Sequence, residues 1–170
     1  SSDVCSSDLD GADYITFNKI SVERTGLEPY ARAIELRNSA CFVTINGCQL
    51  FGAPQTQVSN SLAGVVYSTA TGATNDSNFV FTGNLIKNGS LGLYLNGVAS
   101  LNPTNNVVIS GNTFLNQYAK GMDLTCFGAV VISGNTFSTN TGYTQFTAIE
   151  LDRSQRNQSI TKNKISGSVK

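Results

Sequence analysis

The octet VVISGNTF at Val107–Phe114 is spelled again at Val130–Phe137, 23 residues further on. Nothing else in the chain constrains its fold as much. Self-similarity at periods of roughly 20–50 residues is the mark of stacked repeat architectures. The skeleton of the phrase is an apolar residue, an asparagine three later and an apolar residue five later. Ile109, Asn112 and Phe114 give one copy, and Ile132, Asn135 and Phe137 the next. Phe81, Asn84 and Ile86 repeat it, as do Ile160, Asn163 and Ile165, and Ile15, Asn18 and Ile20. Ile45, Cys48 and Leu50 keep the spacing with cysteine in place of asparagine. Successive anchors lie 30, 36, 28, 23 and 28 residues apart.

A second phrase, small–apolar–variable–apolar, precedes five of these copies. It reads Ala33–Leu36, Gly64–Tyr67, Gly92–Leu95, Gly121–Leu124 and Ala148–Leu151. Period-two alternation and β-branched residues mark both phrases as short strands, and the intervening Gly, Asn and Thr mark turns. No stretch carries a helical stripe. Short strands that recur in one order, none able to bury a face alone, predict a solenoid. Like strands then stack about 4.8 Å apart in parallel sheets. Ile15, Ile45, Phe81, Ile109, Ile132 and Ile160 are expected as one inward column. Ile20, Leu50, Ile86, Phe114, Phe137 and Ile165 are expected as a second. The repeated asparagine falls where the chain turns a corner, a position suited to a residue that tolerates left-handed backbone. Its amide both donates and accepts, so Asn84, Asn112, Asn135 and Asn163 are expected to form an uninterrupted structural ladder.

With these phrases, the segments DGADYITFNKISVERTG (Asp10–Gly26) and ARAIELRNSACFVTINGC (Ala31–Cys48) resemble right-handed parallel β-helix proteins of the pectin lyase-like superfamily. The nearest resemblance is to repeat-containing secreted proteins of environmental bacteria. It covers residues 10–170 and implies an all-β, right-handed parallel β-helix of about six coils, truncated, since neither end shows a capping element. That superfamily includes polysaccharide lyases, hydrolases, epimerases, phage tailspikes and noncatalytic adhesins, so fold alone does not select an activity. The resemblance implies an extracellular or cell-surface setting. Its pectate lyase and polygalacturonase signatures do not occur here: the chain has no histidine and no Asp-Asp pair.

Residues 1–9, SSDVCSSDL, resemble a translated sequencing adapter and are set apart from the β-helix domain of 10–170. The chain is accordingly read as a metagenomic gene fragment, in which a signal peptide is not observable. The 11 acidic residues drop to 9 without Asp3 and Asp8, against 11 basic ones, a net charge of +2. That charge is too small and scattered for a nucleic-acid footprint, and no apolar run is long enough to span a membrane. Cys41, Cys48 and Cys126 are spaced neither as a disulfide framework nor, without histidine, as a zinc site. They are expected as small buried residues, and no cofactor is expected.

Chemistry is sought where the copies differ. The variable position of the second phrase faces outward and reads Glu35, Val66, Tyr94, Asp123, Glu150 down the stack. Asp123 and Glu150 on adjacent coils are the candidate catalytic pair, since two carboxylates about 5 Å apart suit a retaining glycosidase and about 6.5–9.5 Å an inverting one. Tyr94 is a candidate sugar platform. Asp152, Arg153 and Arg156 are candidate substrate-binding residues able to meet a uronate. Three loops, Gly52–Ala63, Ser68–Ser77 and Ala99–Asn105, are placed to carry a binding site. The function expected is a noncatalytic surface or adhesive module binding polysaccharide. The alternative is part of a glycoside hydrolase or polysaccharide lyase using the outward carboxylates.

Overall fold

The computed structural model describes residues 7–24, 32–54, 61–68, 77–97, 106–139 and 146–167. Among the described residues the chain runs through eighteen short strands in a repeating triplet. The first coil carries β1 (Ser7–Asp10), β2 (Thr16–Asn18) and β3 (Ser21–Glu23). The next has β4 (Ile34–Arg37), β5 (Thr44–Asn46) and β6 (Gln49–Phe51). A 3-10 turn at Ser61–Ala63 leads to β7 (Gly64–Ser68), β8 (Phe79–Thr82) and β9 (Leu85–Lys87). Then follow β10 (Leu91–Asn96), β11 (Asn106–Ser110) and β12 (Thr113–Leu115). β13 (Lys120–Thr125), β14 (Ala129–Ser133) and β15 (Thr136–Thr139) make the next coil. The last is β16 (Thr147–Asp152), β17 (Gln158–Thr161) and β18 (Lys164–Gly167).

Every third strand pairs, which gives three parallel sheets, each six strands deep. The first is β1-β4-β7-β10-β13-β16, the second β2-β5-β8-β11-β14-β17 and the third β3-β6-β9-β12-β15-β18. The chain is therefore an all-β parallel solenoid with almost no helix. Ser7–Leu9, part of the stretch set apart in the sequence, lies in β1 and pairs in register with Ile34–Leu36.

The bore is filled by stacked apolar columns. Ile45, Phe81, Ile109 and Ile132 form one column and Leu50, Ile86, Phe114 and Phe137 another, all of them fully buried. Each such side chain contributes about 1.5–3 kcal/mol. The Phe114 and Phe137 rings stack at 4.7 Å and 12°. They also explain two small residues of the second phrase. A Cβ on Gly121 would lie 2.5 Å from the Phe137 ring, and one on Gly92 would lie 2.7 Å from the Phe114 ring.

Two registers differ from the sequence reading. Phe17, not Ile15, stands opposite Ile45, and Val22, not Ile20, opposite Leu50. A two-residue slip keeps every side chain on the same face, so alternation alone accepts either choice. Asn18 consequently lies on the outside, where its Oδ1 accepts from Asn46 Nδ2 at 3.1 Å. In β7, Val66 pairs with Ile34 and Tyr67 with Glu35. Tyr67, not Val66, therefore occupies the outward column. All five residues of β7 are buried, so its sequence shows no alternation from which to fix the register.

The asparagines meet along the bore. Asn84 Nδ2 donates to Asn112 Oδ1 at 2.9 Å, Asn112 to Asn135 at 3.0 Å and Asn135 to Asn163 at 3.0 Å. The same oxygens accept the backbone N–H of Asn84, Asn112 and Asn135, each at 2.9 Å. Each Nδ2 also donates to a carbonyl one coil back, those of Ile45, Phe81, Ile109 and Ile132. Cys48 joins through its backbone alone, donating N–H to Asn84 Oδ1 at 2.8 Å. The corner itself is turned one residue earlier than expected. Lys19, Gly47, Gly83, Gly111, Gly134 and Lys162 hold the left-handed backbone, with φ between 54° and 63°. The asparagine is thus free of backbone strain and acts as a buried hydrogen-bonding plug. Asn112→Ala leaves several buried groups unpaired, each costing about 1–3 kcal/mol. Urea denaturation should show a loss of about 3 kcal/mol or more, while Thr113→Ala next to it stays within about 0.5 kcal/mol.

Candidate functional site

The outer face of the first sheet carries the unusual chemistry. The register places Glu35, Tyr67, Tyr94, Asp123 and Glu150 in one column across β4, β7, β10, β13 and β16. Outward residues of a solenoid are ordinarily solvated, yet Glu35, Tyr67 and Asp123 are buried. Their neighbours explain this. Arg32 Nη1 meets Glu35 Oε2 at 2.6 Å, and its guanidinium lies 3.8 Å from the Tyr67 ring centroid. The Tyr67 ring stacks on Tyr94 at 5.4 Å and 22°. Arg37 Nε adds a longer contact of 3.8 Å to Glu35 Oε1.

At the other end of the strip one ammonium joins both candidate catalytic carboxylates. Lys120 Nζ lies 2.7 Å from Asp123 Oδ2 and 3.0 Å from Glu150 Oε1. Asp123 and Glu150 are direct register partners, and Lys120 bridges them. Burial works to lower the Lys120 pKa, but hydrogen bonds and charge attraction from the two carboxylates outweigh it. The ammonium is held above the ordinary lysine value of 10.5. The strip is therefore a row of two tyrosines closed at each end by an ion-paired cluster.

Of the other candidates, Tyr94 lies at the centre of this strip. Asp152 lies two residues beyond Glu150 on β16, and Arg153 Nε pairs with its Oδ2 at 2.9 Å, both side chains more than half exposed. Arg156 is exposed in the following turn, where its backbone N–H donates to the Gly128 carbonyl at 3.0 Å. Residues 55–60, 69–76 and 98–105, which make up most of the three candidate loops, lie outside the described residues. Sequence reasoning missed Arg32, Tyr67 and Lys120. A signal for two of them was present: a basic residue stands three before the acidic one in both RAIE (Arg32–Glu35) and KGMD (Lys120–Asp123).

Fold and strip together define a parallel β-helix protein with an aromatic, charge-compensated outer face. A family model described as NosD, periplasmic copper-binding protein, matches residues 15–170, and the chain belongs to that family. No curated protein and no solved structure matches it. The family is periplasmic, and among the described residues no helix is long and apolar enough to cross a membrane.

The copper of that description can be set against the donors this chain offers. Protein copper sites are built from imidazole, thiolate and thioether ligands. The chain has no histidine and one methionine, and that residue, Met122, is sealed in the bore. The Cys48 sulfur faces the carbonyls of Phe17 and Asn46, and the Cys41 sulfur accepts from Ser77 Oγ at 3.3 Å. Cys126 is a buried thiol. Among the described residues no three His, Cys, Asp or Glu side chains come together. These residues do not fit a copper site.

The Lys120 bridge has a definite pH signature. A lysine whose folded pKa is raised adds stability below its unfolded value, and that stability is lost as pH rises through the folded value. Lys120→Met should cost about 1 kcal/mol near neutral pH, as expected of a partly exposed ion pair. The gap between wild type and variant should stay constant through neutrality and close above about pH 10.5 in denaturation curves recorded across the alkaline range.

Proposed function

We propose that this chain is a noncatalytic binding module, a β-helix of the pectin lyase-like type working outside the cytoplasm at the periplasmic or cell-surface side. Its ligand is a polysaccharide laid along the outer face of the first sheet, over Tyr94. The observation that carries this reading is the pairing of the strip's charges. Lys120 sits between Asp123 and Glu150, and Arg32 clamps Glu35. Such a surface is preorganised for recognition, with its side chains already held in place before a ligand arrives. Arg153 is matched by Asp152, so the strip favours a neutral glycan over a polyuronate.

The enzymatic alternative draws on the register partnership of Asp123 and Glu150. A glycosidase needs room between its two carboxyl groups for the glycosidic oxygen or a water. Here the Lys120 ammonium lies within hydrogen-bond distance of both, which favours binding over cleavage.

A glycan array probed with the protein is the direct test. Neutral glycans should be retained in preference to polyuronates, and Tyr94→Ala should weaken retention by about 1 kcal/mol, roughly fivefold, the size of an aromatic contact. New reducing ends or unsaturated uronates that vanish in Asp123→Asn or Glu150→Gln would establish the enzyme instead. Copper is tested separately. Calorimetric titration with Cu(I) and Cu(II) should give no stoichiometric binding. A one-to-one isotherm abolished by replacing Cys41, Cys48 or Cys126 with alanine would overturn the donor argument.

A further inference from the structure

The outer face of the second sheet carries a short ladder of aromatic rings beside a cavity. Tyr14, Phe42 and Asn78 stand at equivalent positions of three successive coils, just before β2, β5 and β8. All three hold left-handed backbone, with φ of 58°, 55° and 57°. The Tyr14 N–H donates to the Cys41 carbonyl and the Phe42 N–H to the Ser77 carbonyl, both at 3.1 Å. The Tyr14 and Phe42 rings stack at 4.7 Å and 2°, which is the spacing of the strands themselves. At the third position the ladder stops, because Asn78 has a short carboxamide where the two earlier coils have rings. There a cavity of about 240 Å³ opens. Phe42 and Thr44 line it from one coil, Asn78 and Val80 from the next, and Asn106 and Val108 from the third. The strands beneath it, β5, β8 and β11, pair on both sides, so the cavity belongs to the body of the solenoid. No charged side chain lines it among the described residues. Asn106 Nδ2 reaches Asn78 Oδ1 at 3.4 Å, longer than an ordinary hydrogen bond, so a ligand hydroxyl can take its place.

We propose that this cavity binds a small uncharged aromatic compound of the phenol class, its ring lying on Phe42 as the third rung of the ladder. The structure itself shows what a face of Phe42 accepts, since the Tyr14 ring covers the opposite one. An apolar cavity of about 150 Å³ takes a benzene ring, so 240 Å³ leaves room for a ring with a substituent. Val80 and Val108 meet the apolar edge of such a ring, and the Asn78 and Asn106 carboxamides meet its hydroxyl. A pyranose fits less well. It carries hydroxyls around most of its rim, and those set against the two valines would be buried without partners. A charged aromatic would lose hydration with no opposite charge in the lining to offset the loss. The site lies on the second sheet and is independent of the glycan reading, which concerns the first.

The test is a titration of the full chain, methyl-labelled at valine, with 4-methylphenol, followed by NMR. The Val80 and Val108 methyl signals should shift upfield and saturate, as methyls at a ring's edge and face respond to its current. Phe42→Ala should weaken binding about fivefold or more, the size of one aromatic contact. Asn78→Phe should abolish it, because the chain's own ring then takes the third rung. That variant is compatible with the backbone, since Phe42 already holds the same left-handed angle one coil earlier. 4-Methylanisole, which keeps the ring but lacks the hydroxyl hydrogen, should bind several-fold more weakly, and methyl glucoside should leave both methyls unmoved. No saturable shift with 4-methylphenol would overturn the proposal, as would undiminished binding by the Phe42→Ala protein. Equal affinity for 4-methylphenol and 4-methylanisole would overturn the role of the two carboxamides. Methyl glucoside binding as tightly as the phenol would overturn the choice of ligand class and make the cavity a sugar site.

Discussion

The structure depends on how the bore satisfies buried backbone at its corner. A parallel coil that turns within an apolar interior strands N–H and C=O groups where water cannot reach, and each must find a partner. The ladder Asn84–Asn112–Asn135–Asn163 supplies it. The oxygens of Asn112, Asn135 and Asn163 each take two donors from the coil before, and the amide nitrogens of Asn84, Asn112 and Asn135 each reach one carbonyl and one oxygen. An asparagine slipped out of line would leave several buried groups unpaired at once. The ladder therefore fixes the register of the later coils, and with it the position of every outward side chain.

This dependence also decides what could be read from sequence. The four ladder asparagines were legible because a polar residue between two inward apolar ones has few alternatives. The first coil was not. Its asparagine, Asn18, matches the phrase by letter but lies outside, and the two-residue slip from Ile15 to Phe17 leaves the face pattern unchanged. β7 was opaque for a different reason. With all of Gly64–Ser68 buried, no polar residue marks which side faces out, so Tyr67 was placed one position away from its column. The left-handed residue was likewise assigned to asparagine, when glycine or lysine one step earlier carries it.

The candidate site was legible only in part, because registry predicts neighbours and not the conformations of long side chains. Asp123 beside Glu150 follows from the repeat. That Lys120 reaches both carboxylates, and that Arg32 lies across Tyr67 while holding Glu35, depends on flexible side chains folding along the column. These contacts change the chemistry. Two carboxylates alone suggest acid–base work, whereas the same two sharing one ammonium make a fixed, compensated surface.

Because the bore absorbs the constraints of folding, the outward letters are the part of the sequence able to vary with function. In a β-helix a metal site must be assembled from side chains that leave the core, and here those positions are occupied by tyrosines and ion pairs. The one methionine points the other way, into the bore, and the sulfurs of Cys41 and Cys48 are engaged locally. Belonging to a family described as copper-binding and showing no copper donor set among the described residues are compatible on these terms. The family match over residues 15–170 spans all but the first strand of the solenoid. On the proposed reading, ligand choice rests with the column from Glu35 to Glu150, where this chain presents rings and paired charges.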